Sequence, residues 1–262
     1  MISITSAQLD AWLALFIFPL TRVLALLATA PVLNNAALPA RMRLVAGLAI
    51  AIAVAPTLPT PPAIPAGSWL GLTVIVEQIL IGTMMGFALR IAFAALDVAG
   101  ELIGLQMGLS FATFFDPVAG GQTPVITQFL GLLTALFFLA MNGHLLAIYL
   151  VAESFTVLPI GTLPFQALSL AALVKSAAMM FSLGVLLALP LITALLVTNL
   201  ALGILSRVAP ALNLFAVGFP VTMALGFIVL LLCLPYLGAA IEPVFSRGFE
   251  TLEAVVRMAA GT

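Results

Sequence analysis

The chain has 262 residues, 64% of them hydrophobic and only 6% charged, with a formal net charge of −1. A soluble domain runs at about 45–50% apolar and about 25% charged, and eight Lys/Arg with nine Asp/Glu cannot cover a soluble globule of this size. The composition therefore excludes a cytoplasmic enzyme, a disordered tail and a nucleic-acid binder, and it puts the chain in a membrane or a membrane-associated assembly.

Apolar stretches of helical length fall at residues 12–32, 44–58, 69–96, 125–155, 170–205 and 214–241. These predict an all-α fold of about six long hydrophobic helices, arranged as membrane-associated hairpins with Pro/Gly breaks. Near the N-terminus the apolar residues 11–27 are followed by Ala28-Thr29-Ala30, which mimics a small-x-small cleavage site. No positive charge precedes it and Arg22 interrupts it, so it reads as a retained helix. Arg41 and Arg43 argue that the first short loop faces the cytoplasm. Residues 56–65, PTLPTPPAIP, hold five prolines, and no helix runs through such a run because each proline removes an amide donor and clashes one turn back. Further breaks are expected at 106–123, 159–164 and 206–213. Residues 245–260 read as a separate short amphipathic helix carrying Arg247, Glu250, Glu253 and Arg257.

These lengths do not fit a plain bundle of spans. A bilayer core of about 30 Å needs about 20 helical residues. Residues 125–155, if continuous, reach about 46 Å and residues 170–205 about 54 Å. Hairpins that project beyond the bilayer fit better.

Several ionisable residues lie inside apolar stretches: Arg22, Glu77, Arg90 and Lys175, with Asp97 and Glu101 at a helix end. Each costs about 2.5–3.5 kcal/mol at a lipid-exposed helix centre, so each should face protein or water. Arg90, Asp97 and Glu101 follow a spacing of seven and four that shares one helical face. Two readings stand, a proton or ion path and a set of inter-helix or inter-subunit ion pairs, and the second weighs more. Gly82, Gly86, Gly100, Gly104 and Gly108 make a smooth face suited to close helix approach.

The segment LSFATFFDPVAGGQTP clusters Phe111, Phe114 and Phe115 before Asp116-Pro117 and Gly120-Gly121 break regular structure. An irregular loop cannot face lipid, because its amides and carbonyls go unsatisfied there. On the residues alone it is either an apolar constriction or a buried loop with core aromatics. Catalytic signals are lacking. His144 is the single histidine, Cys233 the single cysteine, and neither a metal-ligand nor a nucleophile pattern is present, so no catalytic residue, metal or cofactor is expected.

The stretch MGFALRIAFAALDVAGELIGLQMGLSFATFFDPVAGGQTPVITQF, followed by LFFLAMNGHLLAIYLVAESFTVLPIG, resembles the FliR/SctT family of type III secretion export-gate proteins. The N-terminal RVLALLATAPVLNNAALPARMRLVAGLAIAIAVAP is similar to that family too. Injectisome counterparts share the pattern, and the AGELIG-Q-GLSFA-FFDP core reads as flagellar. The resemblance implies a non-enzymatic subunit of the flagellar export gate, assembled with FliP and FliQ, contacted by FlhB and FlhA, and passing unfolded flagellar subunits. It implies one domain over 1–262, with a FliP-like portion at 1–165 and a FliQ-like hairpin with the amphipathic tail at 166–262. It places the gate at the bacterial inner membrane, in the flagellar basal body, projecting to the periplasmic side. By the same resemblance residues 106–122 match the family's plug loop, with Met107, Phe111, Phe114 and Phe115 as the obstruction. The charges Arg22, Glu77, Arg90, Asp97, Glu101 and Lys175 become contacts to neighbouring subunits. A secondary transporter or proton-coupled channel using the carboxylates is the alternative, although the chain lacks the paired halves such proteins usually show.

Overall fold

The computed structural model of the protein describes residues 6–34, 38–58, 64–109, 124–161, 168–209 and 214–261. All regular structure among them is helical: α1 Ser6–Thr29, α2 Ala40–Val54 with a short 3-10 turn at Ala55–Thr57, α3 Trp69–Gln106, α4 Val125–Ala140, α5 Gly143–Val157, α6 Leu168–Val208 and α7 Leu214–Ala260. Four helices are long and apolar enough to cross a membrane, and a fifth span results if α4 and α5 count as one.

Local chemistry explains where the helices start and stop. Pro39 stands at the N-cap of α2 with φ −56° and ψ 144°, an extended geometry that keeps the preceding chain out of the helix. Ser68 caps α3, its Oγ accepting from the Gly71 amide at 3.0 Å, which satisfies one of the four amides a helix start leaves free. Between α4 and α5 the backbone at Asn142 is left-handed, φ 57°, a conformation asparagine tolerates. The two helices bend by 63° there. The stretch expected as one helix over 125–155 is therefore two helices of 16 and 15 residues. Neither exceeds the roughly 20 residues of a single crossing.

The opposite difference occurs at the C-terminus. Residues 245–260 are not a separate helix, because α7 runs unbroken for 47 residues through Pro220, Pro235 and Pro243. At about 1.5 Å per residue α7 is about 70 Å long and α6 about 62 Å, each about twice a bilayer core. Interior prolines forfeit one hydrogen bond each, and helices at membrane depth tolerate this where neighbouring groups or local adjustment re-satisfy the carbonyl. The amphipathic pattern of 245–260 is nevertheless visible: Phe245, Phe249, Leu252, Val255 and Val256 are buried, while Arg247, Glu250 and Arg257 are exposed. In the same way α3 continues past residue 96 to Gln106.

The chain packs as two compact units. One comprises residues 1–91, 138–177 and 246–262, the other 92–137 and 178–245. In the first unit α1 and α2 pack together, with Gly47 set against Leu24 and Leu27, and Phe249 stacks on Phe138 at 6.3 Å between ring centroids. The second unit has an apolar core of Ala99, Ile103, Met107, Ile126, Leu191, Leu195 and Leu230 among others, and Phe93 meets Phe245 edge to face at 5.1 Å.

Candidate functional site

Two places in the fold concentrate the residues singled out by sequence. The first is the C-terminal end of α3, where the chain enters the segment 110–123. The Leu109 amide donates to Gly104 O and the Gly108 amide to Leu105 O, both at 3.0 Å. Gly108 has φ 81°. This is a Schellman stop: a left-handed glycine reverses the chain while two orphan carbonyls of the last turn are satisfied. Gly108 is thus a helix stop, where sequence spacing had suggested a packing glycine.

The other glycines of that face differ in how closely they are approached. Added Cβ atoms at Gly82 and Gly86 run into α1, at Arg22 O with Ala25 and at Thr29 respectively. One at Gly100 lies 2.6 Å from the Thr127 Cα of α4, whereas Gly104 has Pro124 Cβ at an ordinary 3.9 Å. Met107, the cap residue of α3, is 0% exposed. It belongs to the second unit's core beside Ile126 and Leu195 and lies against Gly226 of α7. Expected as part of the obstruction, Met107 is anchored in the chain's own core and does not project from it. Phe111, Phe114 and Phe115 lie outside the described residues.

The second place is a buried guanidinium. Arg22 of α1 is 0% exposed. Its Nε donates to Gln78 Oε1 at 2.8 Å, one terminal nitrogen to Ser154 Oγ at 2.9 Å and the other to Leu158 O at 3.0 Å. The guanidinium carbon stands 4.1 Å from the centroid of the Phe155 ring. Ser154 Oγ in turn donates to Val151 O at 2.6 Å. The planar fork of arginine suits this arrangement, since its donors point in fixed directions while its face stacks on an aromatic ring. One side chain therefore ties α1 to α3 and α5.

This corrects one expectation: Arg22 finds its partners inside its own chain, not in a neighbouring subunit. Glu77, next to Gln78, is half-buried and acts on Arg22 through its charge. Arg90, Asp97 and Glu101 are exposed along α3, and Lys175 is exposed on α6. Sequence reasoning missed Gln78, Ser154 and Gly226. The signal for the first two was an arginine in an apolar run, which demands acceptors, but nothing local says which helices bring them.

Chemistry-bearing residues are otherwise sparse. Among the described residues no group of three or more His, Cys, Asp or Glu is placed to hold a metal ion. His144 is half-buried at the start of α5, with no hydrogen-bond partner at Nδ1 among the described residues. Cys233 lines an apolar cavity of about 120 Å³ in the second unit, together with Leu96, Ile103, Leu130 and Leu191.

The long helices α6 and α7 present large apolar side chains outward: Val197, Leu200 and Val208 on α6, and Leu231, Leu232 and Tyr236 on α7, are all more than 60% exposed. Of the spanning window of α3 56% is buried, against 28% for α6 and 22% for α7. So much outward apolar surface belongs against lipid or against other protein.

Comparison with known proteins agrees with these features. The family described as bacterial export proteins, family 1, matches residues 13–248. The chain is 44% identical over 256 residues to the flagellar biosynthetic protein FliR of Escherichia coli (strain K12), covering 98% of both chains. It is 45% identical over 259 residues to the flagellar biosynthetic protein FliR of Pectobacterium carotovorum subsp. carotovorum, again covering 98% of both. With the protein of the same name from Bacillus subtilis (strain 168) the identity is 30% over 250 residues, covering 93% of this chain and 95% of that one.

Proposed function

This chain belongs to the bacterial export proteins, family 1, and on that premise we propose that it is a non-enzymatic subunit of the flagellar export gate. The observation that carries the reading is similarity to flagellar biosynthetic proteins along 98% of both chains. The exposed apolar faces of α6 and α7 support it, because a subunit of a hetero-oligomer keeps such faces for its neighbours. In this reading the neighbours are FliP and FliQ, with FlhB and FlhA contacting the assembly, all at the bacterial inner membrane within the flagellar basal body. The gate projects to the periplasmic side, which accounts for helices about twice as long as a bilayer core. In this reading Arg90, Asp97, Glu101 and Lys175, exposed on α3 and α6, serve subunit contacts.

The segment 106–122 closes the resting channel, with Phe111, Phe114 and Phe115 as the apolar obstruction that excludes water and ions. Unfolded flagellar subunits displace it as they pass. The test is ion conductance across membranes that hold the assembled apparatus without export substrate. Changing Phe114 and Phe115 to Gly is expected to raise conductance above the wild-type background. Background conductance in fully assembled variant complexes would remove the plug from the reading. Loss of flagellar export on deletion of the chain, restored by supplying it in trans, tests the coarser role.

A further inference from the structure

The geometry points to Gly226 as a positioning residue for the segment that follows α3: it opens a notch in α7 that receives Met107 and so fixes where the chain leaves the helix. A Cβ at position 226 would stand 2.6 Å from Met107 Cγ, 2.8 Å from Cε and 2.9 Å from Sδ. Three successive heavy atoms of one side chain fill the space that every residue other than glycine occupies with its own Cβ. Methionine ordinarily evades such crowding by rotating. Here it is 0% exposed and packed in the cluster of Ile103, Ile126, Leu195 and Leu230, so a Cβ at position 226 displaces it from this seat.

Met107 is also the last residue before the Schellman reversal at Gly108. Its side chain, with Leu109 packed against the same cluster, anchors the chain just before residues 110–123. The return side of that segment is held close by: Pro124 lies over Gly104 and Thr127 over Gly100. Both roots of the segment thus stand on one face of α3, and the outgoing root is clasped by α7. Gly226 lies more than a hundred residues from the segment in sequence, and its role comes entirely from packing. The inference rests on the plug reading for its functional consequence, and on the described residues alone for its geometry.

The test uses the assembled apparatus. Gly226→Leu keeps helix propensity high but fills the notch. It is expected to raise resting ion conductance about tenfold or more at unchanged complex abundance, because overpacking a buried contact disfavours that packing by about a factor of ten. Met107→Ala, which removes the anchor without a clash, is expected to leak as well. The pair Gly226→Leu with Met107→Ala is expected to return towards the wild-type seal, the leucine occupying the space that Met107 leaves. Background conductance in assembled Gly226→Leu and Met107→Ala complexes, alongside a leaking Phe114/Phe115 variant, overturns the clasp and spares the plug. If the Phe114/Phe115 variant stays sealed, the plug fails. The clasp is then judged by maleimide labelling of Met107→Cys, expected to be protected beside Gly226 and labelled beside Gly226→Leu. Protection in both backgrounds overturns it.

Discussion

The two packing units share close approach through glycine and differ in whether a buried charge is added to it. The first is organised around a charge: Arg22, buried in the chain and bonded to Gln78, Ser154 and Leu158. Among the described residues the second holds no such centre and packs Met107, Ile126, Leu195 and Leu230 in an apolar cluster, with Gly184 and Gly226 admitting close neighbours. Within a membrane, lipid tails are as apolar as leucine and give helices little reason to choose one another. Hydrogen bonds with direction add to that choice in the first unit, where Gly82 and Gly86 also admit α1 closely, and close approach through small residues supplies it in the second. The first unit is thereby specified from within. In the second, α6 and α7 retain outward apolar faces that other molecules can cover.

Breaking the polar centre should have the largest effect. Arg22→Ala leaves three buried acceptors without their donor, and each costs about 1–3 kcal/mol. The expected outcome is a loss of about 3 kcal/mol or more, read as a sharp fall in membrane-inserted protein and in the Tm of the purified complex. Arg22→Lys keeps the charge but loses the fork, so it should recover only part of that stability. A lysine variant equal to wild type would show that charge alone, and not the three-way geometry, organises the unit.

Breaking the glycine contacts should come next. Gly184→Leu drives a side chain into Ala95 O and Val98 of α3, and overpacking of this kind costs about 1–3 kcal/mol. Thermal unfolding of the same complex measures it. An unchanged Tm would mean that α6 can shift away from α3, and that close approach is not what holds the second unit.

Ser154→Ala sharpens the comparison further. It removes one acceptor of Arg22 and the hydroxyl bond to Val151 O but leaves Gln78 and Leu158 in place, so about 1 kcal/mol is expected. Combined with Gln78→Leu, the loss should exceed the sum of the single losses, because both act on one guanidinium. The smallest effect belongs to the second unit. Among the described residues Thr127 Oγ1 is buried without a hydrogen-bond partner, so Thr127→Val should be neutral or slightly stabilising. A clear loss of stability would show that this hydroxyl has a partner in the assembled state.

Much of this was legible in the sequence, and the misses have physical causes. Composition alone called for membrane helices, and the proline run at 56–65 separates α2 from α3 as expected. The requirement that Arg22 face protein follows from its cost in lipid, but its acceptors lie as far away as residues 154 and 158, and no local pattern reports a contact of that range. The division of 125–155 is written in Asn142-Gly143, a turn signal that hydropathy overrides when only length is weighed. The continuity of α7 is the reverse case. Pro220 and Pro235 are breakers in water, yet each is a single residue in an apolar run where no water competes for the freed carbonyl. Gly108 looked like its neighbours by spacing, and only its φ separates a helix stop from a packing glycine. Gly226 stood outside every pattern because its partner, Met107, lies on another helix.

The central claim is that the outward apolar faces of α6 and α7 are subunit interfaces of an export gate. Photocrosslinking side chains placed at Leu200 and Leu232, both 67% exposed, test it in intact cells that carry the assembled apparatus. The account predicts covalent adducts to other protein subunits of the gate, lost when those subunits are deleted. Adducts to lipid alone at both positions, in cells that still export flagellar subunits, would contradict it.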